Sequence, residues 1–248
     1  MSSPEGTKNV IKKGEDNYYL KKKKRILRQF NLMLQKMRPY LASRFGEEFT
    51  ANLIPELLLE LEGIIPKLPD VGGKKNLFIK EIVLSGYALS FYQVMNRHKI
   101  PLHEIGSTLY GAFEFYLNTL PKLLRRLMGM WNFSSFNQRK REKGAEKYNQ
   151  KAYPNDYVYD YVKGNGEEFD FGIDIRECAI LNFYRSLGIE KFTPYLCITD
   201  YCMCKSFYIG FSRTSTLAFG GTKCDFRFKK GGETAEGWPP EALVEWKK

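Results

Sequence analysis

Tyr157-Val158-Tyr159-Asp160-Tyr161-Val162, then Gly164-Asn165-Gly166, then Phe169-Asp170-Phe171-Gly172-Ile173-Asp174-Ile175-Arg176, is where this chain of 248 residues changes period. Tyr157, Tyr159 and Tyr161 alternate with Val158, Asp160 and Val162. Phe169, Phe171, Ile173 and Ile175 alternate with Asp170, Gly172, Asp174 and Arg176. A two-residue period is that of a half-buried strand, and the Gly-Asn-Gly turn closes the two runs into a β-hairpin. Two short helices are predicted downstream, over about 177–187 and 194–208. Two more strands follow. One covers 210–218, where Phe211, Arg213, Ser215 and Leu217 alternate with Ser212, Thr214, Thr216 and Ala218. The other carries Cys224, Phe226 and Phe228, with Gly220-Gly221 as the turn between them. The order is ββααββ.

Upstream the period is helical. A helix over 18–40 places Ile26, Phe30, Met33, Leu34, Met37 and Leu41 on one face, with Pro39 marking its end. A second helix covers 47–65 around Pro55. Pro66, Pro69, Gly72 and Gly73 make a loop, and a third helix covers 76–97. A fourth follows Pro101, with Leu102, Ile105, Leu109, Phe113 and Tyr116 in a stripe. Pro121 opens a fifth, carrying Leu123, Leu124, Leu127 and Met128. The charged stretch 137–150 reads as an exposed connector. The expected class is α+β. A flexible N-terminus (1–16) and a helical region (17–150) precede a cysteine-containing domain (151–232) with an antiparallel sheet packed on helices. A C-terminal tail (233–248) follows.

Hydrophobic content of 43% and charged content of 27% describe a folding chain, not a disordered one. The net charge of +11 is uneven. Residues 1–50 hold twelve Lys/Arg against five Asp/Glu, and residues 122–151 nine against two. No recognition-helix, RNP-like or zinc-finger pattern accompanies this charge, so a solvated helical surface is favoured over a nucleic-acid partner. No apolar run is long enough to span a bilayer; the best, 82–95, contains Ser85, Gly86, Ser90 and Gln93. No membrane partner is therefore expected. The cysteines number five, and no apolar core of a signal peptide lies among the N-terminal lysines. Free thiols or metal thiolates in a reducing cytoplasm are expected, not disulfides.

All five cysteines fall between residues 178 and 224. On a continuous helix over 194–208, Cys197, Tyr201 and Cys204 share a face at i, i+4 and i+7, and Asp200 borders it. A carboxylate beside a thiol can act as a base, orient a water, or join thiolates as a metal ligand. The plain alternative is that the thiols are small buried hydrophobes, favoured for Cys202 and Cys204. No CxxC knuckle occurs, so a metal site would have to assemble across helix and strand. Arg213, Thr214 and Thr216 could hold a small carboxylate, and Asp225 could pair with Arg227 across the sheet. His98 and His103, the only histidines, sit around Pro101 and read as packing or surface residues.

The order of these pieces resembles a family. Cys178 opens a helix with Phe183-Tyr184 and Leu187-Gly188. Leu196-Cys197 precedes Asp200-Tyr201. Arg213-Thr214 and Thr216-Leu217-Ala218 lead to Gly220 and Cys224-Asp225-Phe226-Arg227-Phe228. This is similar to the L-2-amino-thiazoline-4-carboxylic acid hydrolase-like family, and its domain order resembles 4-vinyl reductase-type ligand-binding domains. The resemblance implies a cytoplasmic hydrolase that opens a small cyclic amidine to a carbamoyl-cysteine. Catalysis would fall to Cys197, Asp200 and Cys224, and substrate binding to Arg213, Thr214, Thr216 and Tyr201. The alternative is a non-catalytic sensor holding a small molecule or a metal, with zinc as the candidate on Cys178, Cys197 and Cys224. Relatives of this domain type imply a homodimer.

Overall fold

The computed structural model describes residues 17–247; the expected flexible N-terminus at 1–16 lies outside the described residues. Asn17 caps α1 (Tyr18–Lys21) by accepting the N–H groups of Tyr19 and Leu20. In α2 (Lys23–Phe45) the 3–4 spacing buries Ile26, Phe30, Leu34, Met37 and Leu41. The helix does not end at Pro39 as expected. Burying Met37 and Leu41 stabilises by about 1.5–3 kcal/mol each, which offsets the roughly 3 kcal/mol an interior proline costs. Gly46 ends the helix at φ 86, a conformation glycine reaches without a Cβ clash.

Helices α3 (Glu47–Ile64), α4 (Ile79–Arg97) and α5 (Leu102–Asn118) complete the helical bundle. Next come α6 (Lys122–Asn132) and α7 (Ser135–Tyr148). The charged stretch expected to be an exposed connector is thus a helix. Its seam of Gly144, Ala145 and Tyr148 is buried, and Tyr159 donates its hydroxyl to the Arg141 carbonyl at 2.8 Å. The charges occupy the other faces. No helix of the described residues is long and apolar enough to cross a membrane.

Strands β1 (Val158–Lys163), β2 (Phe171–Glu177), β3 (Ile209–Ser212) and β4 (Cys224–Lys230) form one antiparallel sheet in the order β1-β2-β4-β3. The α+β class and the hairpin are as read from the alternation. Between β2 and β3 the chain forms α8 (Ala179–Ser186), α9 (Thr193–Cys197) and α10 (Thr199–Ser206). The single helix expected over 194–208 is two helices meeting at Ile198. The strand expected over 210–218 stops at Ser212, because Asp225 accepts the N–H groups of Thr214 and Ser215 and bends the chain away.

One apolar cluster runs from Phe30 and Leu57 through Ile82 and Leu89 to Tyr159, Tyr184 and Cys224. The Tyr184 hydroxyl donates to the Ser85 carbonyl at 2.7 Å, tying α8 to α4. The period change near residue 157 thus separates kinds of element, not cores. A second cluster gathers Tyr110, Ile198, Tyr201, Cys202, Cys204 and Phe211 with Leu243. The stretch read only as a C-terminal tail folds back and delivers Leu243 and Glu245 to the interior.

Candidate active site

Cys178, Cys197 and Cys224 arrive from three elements. Cys178 caps α8, its Sγ accepting the Leu181 N–H at 3.5 Å. Cys197 is the last residue of α9. Cys224 opens β4 opposite Ile175, and its Sγ accepts the Leu217 N–H at 3.3 Å. These thiols and Asp200 lie close enough to feel one another's charge. Burial raises the pKa of Cys178, pushes Cys224 up to about 12, and pushes Cys197 well above the usual thiol value against the pull of Arg213. All three are neutral thiols at pH 7.

Among the described residues no group of three His, Cys, Asp or Glu side chains could hold a metal ion. The donor set of Cys178, Cys197 and Cys224 does not fit the zinc that the sensor alternative placed there.

Asp200, in the first turn of α10, has a double character. Its side chain keeps 30% of its surface exposed. Desolvation nevertheless raises its pKa, against the charge and hydrogen bond of Arg213. The carboxylate is thus half-buried, with part of its surface open to solvent. Asp200 Oδ2 accepts from Arg213 Nη1 at 2.9 Å. Oδ1 accepts no hydrogen bond among the described residues, so one oxygen is held and the other is available.

Arg213 is not available. Its side chain is 1% exposed. Nε and Nη2 donate to Glu245 Oε1 at 3.1 and 3.0 Å, and Nη2 also donates to the Cys197 carbonyl at 3.2 Å. The guanidinium lies over the rings of Tyr201, Phe211 and Phe226. Burial alone would lower its pKa, but Asp200, Cys197 and Glu245 outweigh it and hold the charge. The side chains expected to bind substrate have these surroundings within the protein. Arg213 is closed in by two carboxylates. Tyr201 gives its hydroxyl to Glu245 at 2.8 Å. Thr214 gives its own to Asp225 at 2.6 Å. Thr216 is buried, and its hydroxyl finds no partner. Asp225 does not pair with Arg227, which bonds Asp174 on β2 instead.

The break at Ile198 also divides the expected cysteine face. Cys202 and Cys204 join the second apolar cluster, with the Cys202 Sγ donating to the Thr199 carbonyl. His98 pairs with Glu56 and His103 with Glu241, and neither reaches the thiols.

Two residues were missed. Glu81, in the first turn of α4, stands within electrostatic reach of Asp200, Lys80 and Arg141. Its spacing of four and seven residues from Ser85 and Ala88, both buried, was the available signal. Glu245 carried no local signal, being one of several acidic residues beyond β4. The small recess of about 70 Å³ beside Asn76, Tyr153 and Asp156 contains none of these groups.

Residues 80–228 match the family described as L-2-amino-thiazoline-4-carboxylic acid hydrolase. The match reaches back from the cysteine region to α4 and includes Glu81. No curated protein and no solved structure matches the chain.

Proposed function

The chain belongs to the L-2-amino-thiazoline-4-carboxylic acid hydrolase family, and from that premise we propose that it hydrolyses a C–N bond of a small cyclic amidine such as L-2-amino-thiazoline-4-carboxylate. Water adds to the amidine carbon, and the bond from that carbon to the ring nitrogen breaks. The carbon keeps its amino group and its sulfur and gains the oxygen, giving a carbamoyl-cysteine. The proton lost by water is passed to the departing ring nitrogen.

The observation that carries this reading is the half-open Asp200 carboxylate. Arg213 holds one oxygen, and the other is free to accept a proton from water. The raised pKa brings its proton affinity nearer to neutral pH, where a group that takes and returns a proton works best. Glu245 supplies the second negative charge against Arg213, so Asp200 is not locked in a tight one-to-one pair. The neutral Cys197 thiol favours water over a thiolate as the attacking group. Cys197, Cys178 and Cys224 then serve as soft, poorly hydrated walls beside the sulfur heterocycle.

The test is turnover of L-2-amino-thiazoline-4-carboxylate, followed by release of carbamoyl-cysteine. Asp200→Asn keeps an oxygen for Arg213 and removes the base, so the rate should fall by about 10²–10⁴. A wild-type rate in this variant would remove Asp200 from the mechanism.

A further inference from the structure

Helix α6 is packed inside out. Its buried residue is Gly129, where a Cβ would stand 1.9 Å from the Phe207 carbonyl oxygen. Arg125 donates to the Ser206 carbonyl and to Asn118, and both Arg125 and Arg126 lie over the Tyr208 ring. The polar side of the helix therefore rests on the protein, at the end of α10. The apolar side faces solvent: Leu123 is 70% exposed and Trp131 60%, with Leu124, Leu127, Met128 and Met130 between them. Phe136 at the start of α7 is 65% exposed and extends the face beside Trp131. A soluble helix ordinarily turns its apolar stripe inward. A continuous exposed face of this kind marks a surface that meets something.

Charge indicates what it meets. From Phe136 the same side of α7 continues with Arg139, Lys140 and Lys143, which are exposed and form no ion pair among the described residues. The stretch 122–151 holds only Glu142 and Glu146 against its nine basic residues. Two copies meeting through this face would bring two such basic stretches together. An anionic bilayer presents the opposite charge and an apolar interior at the same boundary. Leucine, methionine and tryptophan on one side, with lysine and arginine on and beside the other, is the composition of a helix lying in that boundary.

We propose that α6 and the start of α7 dock the protein on an anionic lipid surface, with the apolar side of α6 in the headgroup–acyl boundary and the basic stripe of α7 over the headgroups. The expectation of no membrane partner rested on the lack of a spanning run. That lack means only that no helix of the described residues is long and apolar enough to cross a bilayer, and it does not bear on lying on one.

The full chain is tested by co-sedimentation with vesicles of phosphatidylcholine alone and of phosphatidylcholine with phosphatidylglycerol. Binding should be at least about tenfold stronger to the anionic vesicles and should weaken as salt rises. Leu127→Glu with Trp131→Glu, and separately Arg139→Glu with Lys140→Glu, should each reduce it about tenfold. All four positions are exposed, so an unchanged melting temperature shows that the fold is intact. The oligomeric state without lipid, read by light scattering, should be the same in the wild type and in Leu127→Glu with Trp131→Glu. Equal sedimentation with both vesicle types, or no loss in the variants, would overturn the proposal. So would a dimer that Leu127→Glu with Trp131→Glu dissociates and that ignores vesicles, which would make the face a contact between copies.

Discussion

Cys197 and Cys202 stand five residues apart in a helical stretch, yet they occupy different chemical environments. Cys197 is half-buried beside Asp200, Cys178 and Cys224, while Cys202 is sealed in an apolar cluster under Tyr110 and Phe211. The residue type is the same, and burial raises both thiols. What differs is the face: five residues along a helical path turn the second side chain about 140° from the first, and α9 gives way to α10 at Ile198 between them. The lesson is that a cysteine-rich stretch is not a site until each thiol is assigned to a face.

The comparison breaks most visibly at Asp200, the group that separates the two environments. Beyond the rate loss in Asp200→Asn, the pH profile of kcat/KM should report it. The base must be ionised to accept a proton, so activity is lost as pH falls through its pKa. Burial raises that pKa, so the acid limb should lie above the ordinary aspartate value of about 3.9 and disappear in Asp200→Asn. A limb at or below the ordinary value would contradict the desolvation of Asp200.

The next effect is on stability. Glu245→Ala removes one of the two countercharges on a guanidinium with nowhere to hydrate. It should cost about 3 kcal/mol, read as a lower urea midpoint. Glu245→Gln retains an acceptor and should lose less. Equal losses would mean that packing, not charge, is what Glu245 supplies.

Smaller again is the contrast between the cysteines themselves. Cys204→Ala should cost about 1 kcal/mol in the urea midpoint and leave turnover unchanged. Cys197→Ser should leave stability near wild type and alter turnover by no more than about tenfold, because its thiol is not the attacking group. Loss of turnover in Cys197→Ser as deep as in Asp200→Asn would reverse the assignment and make the thiol the nucleophile.

An effect of similar size, but confined to one pH range, lies on the sheet. Arg227 and Lys223 bond Asp174 and lower its pKa despite the burial that opposes them. A carboxyl with a lowered folded pKa stabilises above its unfolded value, and that stability is lost as pH falls through the folded one. Asp174→Asn should therefore cost about 1 kcal/mol near neutral pH and little in acid, as measured by chemical denaturation at both.

Much of this was legible in the sequence because local and long-range forces agreed. The hairpin was clear because its period, its Gly-Asn-Gly turn and its buried face coincide. Cys178, Cys197, Asp200 and Cys224 could be singled out together because their order is that of a family. The errors occurred where a tertiary contact overrode a local pattern. Phe211, Arg213, Ser215 and Leu217 have strand period, but Asp225 captures the backbone and Arg213 turns inward to two carboxylates. Residues 137–150 are charged on most faces, and three small or aromatic positions sufficed to seat them as a helix. Glu245 was invisible because nothing near it in sequence needs a carboxylate; its partner lies thirty-two residues back.

Glu245 has one more implication. It lies outside the stretch 80–228 that matches the family, yet it neutralises an arginine within that stretch and touches the residue that orients Asp200. The charge balance around Asp200 is thus set partly from outside the matched stretch, since Glu245 raises its pKa. On the proposed mechanism, removing that charge would move the acid limb of the pH profile downward without altering a single residue of the stretch 80–228.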